Sequence, residues 1–180
     1  MYLPRSIASL SKNLFGPFVK LFLRLGFTPN RISFLSLILS LLSAYFLYDM
    51  NIVFALLLLA LSLFFDGLDG AMARYLNSAS RTGYLIDTFI DRISELALLM
   101  SVFLNGSVSL KMVLLAYSAI LLVTSLRTKA RFDPGFKRWT FFLAPFIGFT
   151  AVVALIFFAN LFGFVLQLII IDLREEKKAI

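Results

Sequence analysis

The chain has no cysteine and no histidine among its 180 residues. Disulfides, thiolate nucleophiles, imidazole bases and the usual nitrogen and sulfur ligands of zinc are therefore excluded together. Any chemistry has to come from carboxylates, hydroxyls or amines. Charge is scarce as well: charged residues make up 15% of the chain and hydrophobic ones 61%, where soluble domains run at roughly 45–50% apolar. The net charge of +7 does not read as nucleic-acid binding, because the basic residues lie between apolar runs and form no soluble basic domain. That pattern suits anchoring at an anionic leaflet, so membrane lipids are expected partners and nucleic acid is not.

Long apolar runs dominate what remains, and lipid is the solvent they imply. The expected fold class is all-α: a polytopic membrane protein with six transmembrane helices preceded by an amphipathic interfacial helix. Residues 1–27 form the juxtamembrane helix in this reading, with Leu3, Ile7, Leu10, Leu14, Phe18, Leu21 and Leu25 at helical spacing. Arg5, Lys12, Lys20 and Arg24 interrupt the apolar core that a signal peptide would need, and Gly16-Pro17 should break or kink the helix. An ordinary solvated helix covering its neighbours is the alternative. Residues 28–180 form the six-helix transmembrane domain, with spans expected at 31–49, 52–76, 82–104, 108–130, 135–159 and 161–176. Gly106, Pro134-Gly135 and Gly163 mark boundaries, and Pro145 and Gly148 should bend the fifth span. Lysine and arginine collect in the amino-terminal helix, at Arg74 to Arg81, at Arg127 to Arg138 and in the tail, whereas the opposite connections hold only Lys111. The positive-inside bias then places both termini and the basic connections in the cytoplasm.

Five of the ten acidic residues, Asp66, Asp69, Asp87, Asp91 and Glu95, lie inside two consecutive apolar spans. A central aspartate costs about 2.5 kcal/mol or more on insertion scales, so uncompensated exposure of four to lipid is excluded. Spacings of three and four put Asp66 with Asp69, and Asp87 with Asp91, on one helical face each. Two antiparallel helices can thus direct four carboxylates into one cleft, and Arg74, Arg81 and Arg92 are too few and too near the ends to neutralise them. Oxygen-only ligands select hard cations, and two Mg2+ or Mn2+ ions are expected, an arrangement suited to phosphoryl transfer. A structural ion-pair network is the alternative for the acids, and for Glu95 a supporting role stands level with ligation. Gly67, Gly70, Ala71, Ala73 and Gly83 leave room for a ligand between helices, or serve tight helix packing.

The segment Asp66-Gly-Leu-Asp69-Gly70-Ala-Met-Ala73-Arg74, eight residues to Gly83, three to Asp87 and three to Asp91 fixes eight residues over 26 positions. This pattern resembles the signature of the CDP-alcohol phosphotransferase family, and the six-span layout with a surface helix is similar too. The resemblance implies that Asp66, Asp69 and Asp87 bind metal, and that Asp91 ligates metal and acts as general base toward an acceptor hydroxyl. It further implies that Asp66, Asp69, Gly70, Ala73, Arg74 and Gly83 bind the CDP moiety, with Thr28-Pro29-Asn30 opening the first span. The implied reaction moves a phosphatidyl-type or ether-lipid phosphoryl group from a CDP-linked lipid to a small polar alcohol, releasing CMP, in a homodimer.

Thr128-Lys129-Ala130-Arg131-Phe132-Asp133 is similar to a basic motif of the family's inositol-phosphate-using members, although Leu126, Arg127 and Phe132 depart from it. By that likeness Lys129, Arg131 and Arg138 bind the acceptor's phosphate; positive-inside topology alone is the alternative reading of these charges. Inositol phosphate is the leading acceptor and glycerol 3-phosphate the second. From a different class, a divalent cation transporter would use the same buried acids but lacks the inverted repeat common among transporters.

Overall fold

In a bilayer each backbone N–H and C=O must be satisfied within the protein, and the helix does this with its own residues. The computed structural model describes the backbone of residues 5–78 and 80–179 and the side chains of 15–78 and 80–176. Among the described residues the protein is all-helical: α1 Arg5–Arg24, α2 Pro29–Tyr48, α3 Ile52–Tyr75, α4 Arg81–Leu104, α5 Leu110–Ala130, a 3-10 helix Arg138–Leu143, α6 Ala144–Ile147 and α7 Phe149–Ala179. Four helices, α2, α3, α5 and α7, are long and apolar enough to cross a membrane. α4 has 24 residues, sufficient in length, but it carries Asp87, Asp91, Arg92 and Glu95.

The chain folds back and forth between two ends. At one end Asn105 Nδ2 donates to the carbonyl of Leu47 at 2.9 Å, and Thr150 Oγ1 to that of Ser107 at 3.1 Å. This gathers the C-terminal ends of α2 and α4 with the start of α7. At the other end Ser33 of α2 bonds Asp69 of α3, and Arg138 reaches Asp66 and Asp91. α2 packs chiefly on α3 and α4, and α5 on α7. The seam between α2 and α3 is lined with small hydroxyls. Ser36 and Ser62 each donate to the other's carbonyl at 2.9 Å, and Ser43 donates to that of Ala55 at 2.8 Å, letting the two backbones approach closely.

α1 covers α3. Phe15 and Phe18 meet Phe64 with ring centroids 5.5 and 5.1 Å apart, Phe22 meets Phe65 at 5.8 Å, and Val19 is buried. The packed face is therefore offset from the leucine stripe read in the sequence, since Leu21 and Leu25 point outward at 51% and 63% exposure. Leu3, Ile7, Leu10 and Leu14 lie outside the described side chains. Pro17 does not break α1, which runs through it.

The spans expected at 135–159 and 161–176 are corrected. Residues 131–137 are not helical; the 3-10 helix and α6 follow, and Gly148, at φ +81°, turns the chain into α7. α7 then runs unbroken for 31 residues, about 46 Å, well beyond a hydrocarbon core of roughly 30 Å. Gly163 ends nothing. A Cβ there would lie 2.6 Å from Pro134 Cγ, so this glycine lets the nonhelical segment press against α7.

That segment and the end of α5 before it are held at both backbone and charges. The carbonyls of Phe136, Phe132 and Lys129 accept from Asn160 Nδ2 at 2.6 Å, Gln167 Nε2 at 2.6 Å and Arg174 Nη1 at 3.1 Å. Asp133 Oδ1 accepts from the Gly135 amide, and Asp133 Oδ2 meets Lys137 Nζ at 2.7 Å and Arg127 Nε at 3.4 Å. Burial alone would raise the Asp133 carboxyl, but the Lys137 ammonium, the Gly135 amide and the Arg127 guanidinium outweigh it and hold the group below its usual value of 3.8.

Two outcomes follow from this packing. Gly163→Leu overpacks against Pro134 and should cost about 1–3 kcal/mol, read as a lowered Tm of the solubilised protein; an unchanged Tm would mean that the contact yields freely. A carboxyl whose folded pKa is depressed contributes stability that is present above its unfolded pKa and fades as pH falls through the folded one. The Tm gap between the wild-type chain and Asp133→Asn should therefore stay constant from neutral pH to about pH 5 and close below about pH 4. A gap that persists in acid would show that the pairing is not ionic.

Candidate active site

The acids stand where α3 ends and α4 begins. Asn77, at φ +50°, turns the chain out of α3, and Ser80 restarts it by accepting the Gly83 amide at 3.0 Å as the N-cap of α4. A short connection between these signals lets the two helices run antiparallel, both packed on α2, and the 3.6-residue period turns the acids of both toward one volume. One carboxylate oxygen from each of Asp66, Asp69 and Asp87 lies within 4.8 Å of the others.

Asp91 is not part of that convergence. Its Oδ1 accepts from Arg138 Nη2 at 2.5 Å, and the same nitrogen lies 3.1 Å from Asp66 Oδ1. Arg138 is thus a cation shared by Asp66 and Asp91, and it is 5% exposed. On the other side of Asp91, Arg92 Nη2 lies 3.9 Å from Oδ2 and is held by Glu95 Oε1 at 2.9 Å, while Arg92 Nη1 donates to Thr124 Oγ1. Glu95 therefore faces Arg92, away from the three converging oxygens. Arg74 and Arg81 are exposed.

Asp69 is buried and accepts from Ser33 Oγ, a contact that brings the start of α2 into the site. Despite the nearby guanidinium, Asp66 Oδ1 is buried without a well-aligned hydrogen bond. Three mutually close carboxylates, one with an orphaned oxygen, in a chain with no histidine or cysteine to add a nitrogen or sulfur ligand, fit a hard divalent cation.

Beside the acids opens a cavity of about 630 Å³. Asp69, Gly70, Ala73, Arg74, Gly83 and Asp87 line it together with Thr28, Pro29, Asn30 and Ser33 of the α2 entry, and with Ser78, Ser80 and Tyr84. Five of the six residues expected around CDP are therefore on its wall, and Asp66 stands behind it. The small residues divide by role. Gly70 and Ala73 face the cavity, whereas a Cβ on Gly67 would sit 2.8 Å from the Phe15 ring, and Ala71 is buried in the cluster joining α1, α2 and α3.

The three expected acceptor residues are not alike. Lys129 and Arg131 are exposed at the end of α5, where Arg131 adopts φ +56° as the cap, while Arg138 lies inside among carboxylates. Arg127 lies 5.9 Å over the Tyr84 ring and reaches Asp133. Ser33, Ser80, Tyr84 and the carboxylate pairing of Arg138 were not read from the sequence. Ser33 does carry a signal, since Ser33, Ser36, Ser40 and Ser43 recur at helical spacing and all are buried.

The chain is 38% identical over 84 residues to archaetidylinositol phosphate synthase of Pyrococcus horikoshii, covering 47% of this chain and 45% of that one. It is 37% identical over 93 residues to an uncharacterized protein of Aquifex aeolicus, covering 52% and 47%. These matches span about half the length of the curated relatives. The fold is similar to that of phosphatidylinositol phosphate synthase from Mycobacterium tuberculosis. For its crystal structure in complex with manganese and citrate the TM-score is 0.72 at 20% identity, over 87% of this chain and 88% of that one. With CDP-DAG bound, the TM-score is 0.72 at 19% identity, over 88% and 94%. The profile of the CDP-alcohol phosphatidyltransferase family matches residues 27–173, from the entry of α2 almost to the end of α7, and the chain belongs to that family.

Proposed function

We propose that the protein transfers the phosphoryl group of a CDP-linked lipid to the hydroxyl of a phosphorylated alcohol, releasing CMP. The observation that carries this reading is the convergence of Asp66 with Asp69 and Asp87, the latter two on the wall of a cavity large enough for a nucleotide. Asp66, Asp69 and Asp87, with Asp91 beside them, would hold two divalent cations, magnesium or manganese. Bound there, such ions neutralise the carboxylates and the charge of the diphosphate.

The chain's own residues supply the rest. Gly70 and Ala73 leave space along α3 for the nucleotide, and Arg74 and Tyr84 border it. Asp91 takes the proton of the acceptor hydroxyl as its oxygen bonds to the lipid-bearing phosphorus; the bond from that phosphorus to the bridging oxygen breaks, and the electron pair leaves with CMP. Arg138 lies 2.5 Å from Asp91 and so places a cation for the acceptor's phosphate beside the base. Lys129 and Arg131, more exposed, draw the same phosphate inward. Inositol phosphate is the proposed acceptor, supported by the relatives' names and the Lys129 to Asp133 motif; glycerol 3-phosphate is the second candidate. A cation transporter would use the same acids but would leave the nucleotide-sized cavity beside them without a role.

Residues 28–180 form the catalytic domain in this reading, and residues 1–27 a helix in the interface. Six crossings are made by α2, α3, α4, α5, the short leg Arg138–Ile147 and α7. α4 crosses because its charges face the other helices, and the leg suffices because the chain enters it from deep within the protein. The cleft and both termini lie on the cytoplasmic side, as the basic connections suggest.

Purified protein given a CDP-lipid, manganese or magnesium and inositol phosphate should release CMP and stop on chelation. Asp91→Asn should lower kcat by about 10²–10⁴-fold with Tm preserved. No CMP from inositol phosphate, glycerol 3-phosphate or free inositol, with the protein folded, would end the proposal. Because the chain has no cysteine, single cysteines report topology cleanly. An impermeant maleimide outside intact cells should label Lys111→Cys and spare Ser78→Cys and Glu176→Cys; labelling of all three from one side would contradict six crossings.

A further inference from the structure

Asn160, Gln167 and Arg174 are spaced seven apart on α7, which a helix of 3.6 residues per turn brings into one stripe. Each donates to a main-chain carbonyl, and the acceptors run in the opposite order, Phe136, Phe132 and then Lys129. The nonhelical segment is thereby laid antiparallel along α7, with Pro134 pressed on Gly163 between the first two rungs. A helix continued past Ala130 would have satisfied these carbonyls itself and needed nothing from α7.

The two amides are costly components. Asn160 and Gln167 are fully buried, and Asn160 Oδ1 and Gln167 Oε1 have no hydrogen-bond partner. A leucine or methionine in either place would avoid the orphaned oxygen. What the amides secure lies two residues past the first rung, where Arg138 follows Phe136 and sits between Asp66 and Asp91.

We propose that Asn160 and Gln167 are positioning residues for the transfer reaction, their amides fixing the 131–137 segment at the depth that sets Arg138 between Asp66 and Asp91. This rests on the reading of Arg138 as the group that binds the acceptor's phosphate. Neither amide touches substrate. Loosening the segment displaces a phosphate-binding cation, so affinity for the acceptor falls, while the cavity wall on α2, α3 and α4 is untouched and affinity for the CDP-lipid holds.

The test measures KM for both substrates in Asn160→Leu, Gln167→Met and Arg138→Lys, with inositol phosphate or glycerol 3-phosphate as acceptor, whichever the wild-type chain uses. All three should raise the acceptor KM by about tenfold or more while the CDP-lipid KM stays within about twofold. An Arg138→Lys variant with unchanged acceptor KM overturns the reading of Arg138. A selective rise in Arg138→Lys, joined by no change or by equal change of both KM values in the amide variants, overturns the positioning role alone. Should Asn160→Leu fail to fold, Gln167→Met carries the test, since methionine keeps the length and linear shape of glutamine.

Discussion

The protein is organised around negative charge held inside apolar helices. Asp66, Asp69 and Asp87 bring oxygens within 4.8 Å of one another, and Asp91 is tied to Asp66 through Arg138. Charge repulsion grows as the local dielectric falls, so such a group persists only where each member has a partner. Arg138 offers one positive charge to two carboxylates, and Ser33 offers Asp69 a neutral donor. The balance stays negative among these groups, and this is why the site calls for divalent cations.

The same constraint explains the least regular part of the fold. A cation is needed at the depth of Asp66 and Asp91, yet α5 delivers its own basic residues, Lys129 and Arg131, to an exposed end. The chain therefore leaves the helix at Ala130 and returns beside α7 until Arg138 is level with the carboxylates. An unwound backbone in apolar surroundings is tolerated only where its polar groups find partners, and the stripe on α7 supplies them. Gly163 completes the arrangement, since any side chain there would hold Pro134 away.

This division accounts for what could be read from the sequence. The helices from α2 to α5 were legible within a few residues, because apolar length and the breaker at Gly106 are local. Three of the four aspartates expected in one cleft converge, because spacings of three and four fix a helical face wherever the helix goes, while Asp91 is turned to Arg138. Arg138 was assigned to an acceptor, but its pairing with a residue 47 positions away is long-range and leaves no trace in spacing. Gly163 misled for a related reason: a glycine that ends a helix and a glycine that admits a neighbour look the same in one dimension. Glu95 was ambiguous for want of its partner, and Arg92, on the adjacent helical turn, settles where it points.

The position of Arg138 also bears on which alcohol the site can favour. Discrimination is a difference between two affinities, and a buried cation already paired with carboxylates contributes nothing to a neutral alcohol. A phosphorylated alcohol differs, because its oxygens can take the place of a carboxylate on the guanidinium in a charge-assisted, bidentate pair. Arg138 lies within hydrogen-bond distance of the proposed base, so a phosphate bound there would bring the hydroxyl of the same small molecule to Asp91. In the proposed reaction recognition and proton transfer would share one residue pair, and an alcohol without phosphate would lose orientation along with affinity.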